Sequence, residues 1–120
     1  MSYDERLLFE KISVCLHESP RTSLEGVSVT LRVSKRTIKK AIRASTGRSF
    51  RNVRDEILLA RVKCRFASHP EMAIKELSFG FGFRSASSFA RAIKRVCGSS
   101  PEDLRSLVAR ELPVRQRAII

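Results

Sequence analysis

Five basic side chains, Lys35, Arg36, Lys39, Lys40 and Arg43, fall within nine consecutive positions with no acid among them. Cations at that density recognise oxyanions. An arginine fork matches two phosphate oxygens or the paired acceptors of a guanine edge, and lysine adds a point charge. Spacings of three and four place Lys35 beside Lys39, Arg36 beside Lys40, and Arg43 beside Lys39 and Lys40 on one side of a helix. Lys35 and Arg36 also occupy the first turn of that helix, where the backbone dipole disfavours positive charge by ~0.3–1 kcal/mol each. A polyanion held there more than offsets that cost, whereas a solvated surface gives no reason for it.

Other chemistry is not set up. No Ser-His-Asp, Cys-His, phosphate-loop or paired-carboxylate pattern stands out, and an enzyme is not expected. The three cysteines, Cys15, Cys64 and Cys97, contain no CxxC, and His17 and His69 match no metal-ligand spacing. All three are expected to be buried thiols in a reduced compartment, with no metal and no cofactor. No apolar run approaches the ~18 residues of a membrane helix. Asp4 and Glu5 stand where a secretory leader needs positive charge, so the expected compartment is the cytoplasm.

The charge of the whole chain supports the oxyanion reading. It has 24 Lys and Arg against 12 Asp and Glu, a net +12, which costs self-repulsion and marks a polyanionic partner. The excess is local. Residues 20–70 carry thirteen basic and three acidic side chains, whereas the first nineteen residues carry two basic and four acidic.

Helices must position these groups, because apolar residues recur at helical spacing throughout and never alternate for long. The expected class is all-α with about seven helices. Leu7, Leu8, Ile12, Cys15 and Leu16 form the face of a first helix ending near Ser19 and Pro20. Ser23 caps a second that buries Leu24, Val27, Ser28 and Leu31. Ser34 caps a third that buries Ile38, Ala41, Ile42 and Ser45 and stops before Gly47. A linker helix at about 52–68 carries the stripe Val53, Ile57, Ala60, Cys64 and Ala67, flanked by Arg54, Arg61 and Arg65. A fifth helix buries Ile74, Leu77, Ser78 and Phe81. Ser85 caps a sixth that buries Phe89, Ala92, Ile93 and Val96 and stops at Gly98. A seventh starts at Ser100-Pro101-Glu102-Asp103 and docks through Leu104, Leu107 and Val108.

Two of these helix pairs are one unit written twice. Leu24, Val27, Ser28, Leu31 and Val33 recur 50 positions later as Ile74, Leu77, Ser78, Phe81 and Phe83. Ser34, Ile38, Ala41, Ile42 and Gly47 recur 51 positions later as Ser85, Phe89, Ala92, Ile93 and Gly98. One extra residue at the second turn accounts for the change of offset. Two short helices crossing steeply about a tight turn make a helix-turn-helix, whose second helix enters the major groove of DNA. The crossing needs a small side chain, which Ser28 and Ser78 supply. The turn favours Gly, which Gly82 supplies in the second copy; Arg32 stands near that place in the first and fits it less well. The expected partner is double-stranded DNA, read by two helix-turn-helix subdomains at about 23–46 and about 72–97. A linker of about seventeen residues spans roughly 25 Å, which allows recognition helices ~34 Å apart, one turn of DNA. One chain then suffices as a monomer, although a dimer stays open.

The residues of the second unit resemble the AraC/XylS family of bacterial transcription regulators: Gly82-Phe83, the run Ser88-Phe89-Ala90-Arg91-Ala92-Ile93-Lys94-Arg95, Gly98, Ser100-Pro101 and Leu104-Arg105. In the first unit Val33-Ser34, Ile38, Ile42, Thr46-Gly47 and Ser49-Phe50 fit the same pattern, as do Leu59-Ala60-Arg61 and Ala67 between the units. Ser28 and Ser78 depart from the family's usual Ala, Ile93 from its Phe, and Leu104 from an aromatic residue. The resemblance covers roughly residues 5–107 and implies seven helices, two DNA-binding units and activation by contact with RNA polymerase; the domain is expected to occupy residues 1–112, with a basic tail at 113–120 that begins at Pro113. Many members carry a separate effector domain, so the chain is similar to the compact members or to a DNA-binding half. The resemblance further implies that Arg36, Lys39 and Lys40 face bases in the first unit and that Ala86, Ser87, Ala90 and Arg91 do so in the second. With their flanking neighbours the candidate DNA-binding residues are Lys35, Arg36, Thr37, Lys39, Lys40, Arg43, Ser85, Ala86, Ser87, Ala90, Arg91, Lys94 and Arg95. Two other functions share the charge: a nonspecific architectural DNA-binding protein and a protein-interaction adaptor.

Overall fold

Most helices of the described chain begin or end on a local signal in the sequence. The computed structural model describes residues 4–111, and all regular structure among them is helical. The order is α1 (Glu5–Glu18), α2 (Leu24–Leu31), α3 (Lys35–Thr46), α4 (Phe50–Ser68), α5 (Ile74–Gly80), α6 (Ala86–Cys97) and α7 (Pro101–Glu111). Asp4 caps α1 by accepting from the amides of Arg6 and Leu7. Ser23, Ser34 and Ser85 cap α2, α3 and α6 by accepting from Gly26, Thr37 and Ser88 at 3.0–3.1 Å. Gly47 and Gly98 end α3 and α6 at φ +72° and +81°, left-handed values that glycine adopts without strain. The expected basic tail at 113–120 lies outside the described residues.

The chain divides within α4, between Leu58 and Leu59, into two compact units. In the first, α1 packs chiefly on α3, and Leu8, Ile12, Leu16, Val27, Ile38, Ala41, Ile42, Phe50, Val53 and Ile57 form the core. In the second, Val62, Phe66, Leu77, Phe81, Phe83, Phe89, Ile93, Leu104 and Val108 are buried. Phe89 anchors this core: its ring meets Phe83 edge to face at 5.3 Å and lies parallel to Phe81 at 6.4 Å. Arg105 of α7 donates to the Met72 carbonyl at 2.8 Å and lies over the Phe66 ring, tying the segment before α5 to the core.

The sequence repeat is a repeat of hydrogen bonds. The amide of Val33 donates to the Ser28 carbonyl at 3.1 Å, and the amide of Phe83 to the Ser78 carbonyl at 3.0 Å. Gly47 donates to Arg43 at 2.9 Å, and Gly98 to Lys94 at 2.8 Å. The offset is 50 before the turn and 51 after it, and the additional residue is Arg84. The serines at the helix crossings are satisfied in different ways. The Ser28 hydroxyl donates across the turn to the Val33 carbonyl, and the fully buried Ser78 hydroxyl donates back to Lys75, both at 2.6 Å. A hydroxyl thus replaces the smaller alanine methyl at the crossing without leaving a buried donor unpaired.

Arg32 closes the first turn at φ +56° and ψ +44°, the left-handed region that costs a side-chain-bearing residue ~1–2 kcal/mol. Gly82 stands at φ +87° in the second turn, where no such cost arises. Replacing Arg32 with Gly therefore raises stability by about 0.5 kcal/mol once glycine's added unfolded-state entropy is subtracted. The midpoint of thermal unfolding rises by about 2–4 °C. A lower midpoint would mean that the Arg32 side chain contributes more than its backbone costs.

Five expectations about burial are corrected. Ser45 is exposed, because Ile38, Ala41 and Ile42 complete the inner face of α3. Leu7 is half exposed, since Leu8, Ile12 and Leu16, four apart, take the inward positions of α1. In α4 the stripe holds through Val53 and Ile57 and then fails. Ala60 and Cys64 are exposed and Ala67 is half-buried, while Leu58, Val62 and Phe66 are buried. Both sets have helical spacing, and the set with more apolar area is the one withdrawn from water. Cys64 is therefore an exposed thiol, and Cys15 and Cys97 are only half-buried. Burial, with a smaller contribution from Glu18, pushes the Cys15 thiol above its usual range. Leu107 remains partly exposed beside the buried Leu104 and Val108.

Candidate nucleic-acid interface

The inner face of α3 sets where its charges point. Because Ile38, Ala41 and Ile42 face the core, Lys35, Arg36, Lys39, Lys40 and Arg43 are all exposed on the remaining sides of the helix. No acid occupies its first turn. Thr37 is half-buried, and its hydroxyl meets the Ser34 hydroxyl at 2.8 Å, which commits it first to the helix cap. Arg43 donates to the Gly47 carbonyl at 2.9 Å, closing the end of α3 while the rest of its fork stays exposed.

The equivalent face of α6 is less charged. Phe89 and Ile93 point inward and leave Ser87, Arg91, Lys94 and Arg95 exposed. Ala86 and Ala90 are half-buried, and Ser85 is the half-buried cap whose hydroxyl meets that of Ser88. At the offset of 51, Lys40 and Arg43 correspond to Arg91 and Lys94, and the charge is kept. Lys35, Arg36 and Lys39 correspond to Ala86, Ser87 and Ala90, where it is absent. The two faces therefore agree toward the C-terminal half of the helix and differ in its first turns.

Three basic residues outside the expected set lie on these surfaces. Arg48 and Arg51 line the same surface depression as Lys39 and Arg43, together with Leu24, Ser49 and Phe50. Arg48 is paired with Glu56, an ion pair exposed to solvent. The signal for them was present in the density of basic residues just after Gly47. Arg84, exposed and next to the cap of α6, is the additional residue of the second turn. The change of offset located it, but spacing alone could not distinguish a contact from an insertion. Among the described residues no three His, Cys, Asp or Glu side chains gather as metal ligands, and no helix is long and apolar enough to cross a membrane.

Comparison with solved structures finds this fold elsewhere. The C-terminal domain of AraT, a response regulator from Geobacillus stearothermophilus, superposes with a TM-score of 0.70 at 24% identity, over 88% of this chain and 86% of that one. A DNA-binding transcriptional dual regulator from Escherichia coli K-12 superposes with a TM-score of 0.67 at 18% identity, over 87% of this chain and 94% of that one. At these identities the likeness establishes the fold. No curated protein matches the sequence significantly. Residues 27–106, two thirds of the chain, match the protein family described as "Helix-turn-helix domain". The chain belongs to that family, the AraC-type DNA-binding domain of transcription regulators.

Proposed function

We propose that this chain is a sequence-specific regulator of transcription, an activator, that places α3 and α6 in adjacent major-groove segments of duplex DNA. The observation that carries this reading is the exposed face of α3, with five cations, two of them in a first turn where the helix dipole opposes them. In α3, Lys35, Arg36, Lys39 and Lys40 face bases and phosphates, while Thr37 and Arg43 hold the helix ends and touch the backbone. In α6, Arg91 and Lys94 repeat the contacts of Lys40 and Arg43. Ser85, Ala86, Ser87 and Ala90 permit close approach, single hydrogen bonds and contact with a thymine methyl, and Arg95 adds to the charge of the helix. One chain holds both reading helices, so a monomer is sufficient. Activation proceeds through contact with RNA polymerase.

Selection of bound sequences from a random duplex pool tests the reading. The expected product is a bipartite site with one half specified more tightly than the other, bound ~10³-fold or more above random DNA. Equal affinity for all duplexes would identify an architectural protein instead. Binding that does not change between about 50 and about 200 mM salt would identify an adaptor without phosphate contacts.

A further inference from the structure

Two arginines of the second unit gather on one aromatic ring. The guanidinium carbons of Arg61 and Arg65 both lie 5.9 Å from the centre of the Phe81 ring. They are four positions apart in α4, on one side of the helix, and both are half-buried. The Phe81 ring is itself held, buried and parallel to Phe89 of α6. Neither arginine is in an ion pair among the described residues, and Glu76, the one acid of α5, is exposed and pairs with neither.

Two like charges held over one ring repel each other. The electron-rich face of the ring contributes ~0.5–1 kcal/mol for an exposed cation and leaves the guanidinium N–H donors in the plane unused. Packing alone would not call for two arginines here, because any long side chain would shield Phe81 and a carboxylate nearby would stabilise the pair. What satisfies both forks and both charges is an oxyanion accepting from their edges. The contact with the ring also holds both guanidinium groups near one place before the ligand arrives, which reduces the side-chain entropy lost on binding.

We infer that Arg61 and Arg65, held over Phe81, form a clamp for a backbone phosphate of the DNA bound by the second unit. This rests on the DNA-binding reading above and adds a contact from α4, outside both reading helices. Through Phe81 and Phe89 the clamp is joined to the core that carries α6, so gripping a phosphate registers that helix against its groove. Phosphate contacts position a protein without reading sequence.

The test is Arg61→Gln/Arg65→Gln, measured on the selected site and on random duplex across a salt series. Each phosphate contact contributes about 0.9 to the slope of log affinity against log salt, so loss of this one contact lowers the slope by about 1 unit. Affinity for both DNAs falls by about tenfold or more, while the ratio between them and the order of preferred bases are kept. Should the double variant lose its folding transition, the wild-type protein decides. Arginine modification by phenylglyoxal, read by mass spectrometry, is then expected to be blocked at both positions by duplex DNA at low salt. An unchanged slope in a folded variant, or equal modification with and without DNA, would overturn the clamp and leave the regulator reading intact. If the wild-type protein binds no duplex at all, both fall.

Discussion

Arg36→Ala combined with Lys40→Ala lowers affinity for the selected site by about 100-fold or more, whereas Ser87→Ala changes it by less than about tenfold. Each good side-chain contact to a base edge is worth ~1–3 kcal/mol of discrimination, and two are removed from one helix. Ser87, at the position in α6 that corresponds to Arg36, has a single hydroxyl and cannot make a bidentate contact. The loss should fall mainly on specific DNA, so the ratio of specific to random binding shrinks. This separates the pair from Arg61 and Arg65, whose removal lowers both together. Folding gives an independent control. Arg36 is exposed in a first turn without acids, so alanine there removes an unfavourable charge from the helix dipole and leaves the protein slightly more stable. Weaker binding by a more stable protein cannot be explained by misfolding. A larger loss from Ser87→Ala than from the α3 pair would reverse the assignment of the two helices.

Phe89→Ala removes the second unit's central side chain and should destabilise it by ~3–5 kcal/mol. Its side chain is fully buried and makes the ring contacts with Phe81 and Phe83. At ~0.05–0.15 kcal/mol per residue, a unit of about sixty residues has only ~3–9 kcal/mol in all, so this one truncation uses most of it. Native-state hydrogen exchange is the suitable measurement, because it reports each helix separately. Amides of α5, α6 and α7 are expected to lose most of their protection, while those of α1, α2 and α3, whose core contains none of these rings, keep theirs. Phe89→Leu should cost less, since it restores much of the volume. An equal loss of protection in α1–α3 would show that the two units do not unfold separately.

Much of the fold was legible because it is decided within a few residues. Ser23, Ser34 and Ser85 cap helices by bonds to amides three positions on, and Gly47 and Gly98 end them by backbone angle. The inner faces of α3 and α6 each have one dominant apolar side, so their charged sides followed. The same logic identified Arg32 as the weaker turn residue, and its left-handed angle is the physical form of that weakness. Where two faces competed, the sequence did not decide. In α4, Ala60, Cys64 and Ala67 have the same helical periodicity as Leu58, Val62 and Phe66, and only the larger area available to the second set selects it.

The candidate site divides along the same line. The five cations of α3 are neighbours in sequence, and their shared face follows from a helix of 3.6 residues per turn. Arg48 and Arg51 join Lys39 and Arg43 only because the chain reverses at Gly47 and starts α4 beside them. Arg61 and Arg65 were visible as a flank of a helix, but Phe81 lies on another element, and nothing in their spacing places a ring beneath them. The sequence by itself determined α3 and α6, their caps, their repetition and their unequal charge, since each depends on interactions spanning four or five residues. Only the tertiary structure decided which side of α4 is buried and which cations meet over one ring. Those outcomes depend on burying the most apolar area among segments far apart in the chain.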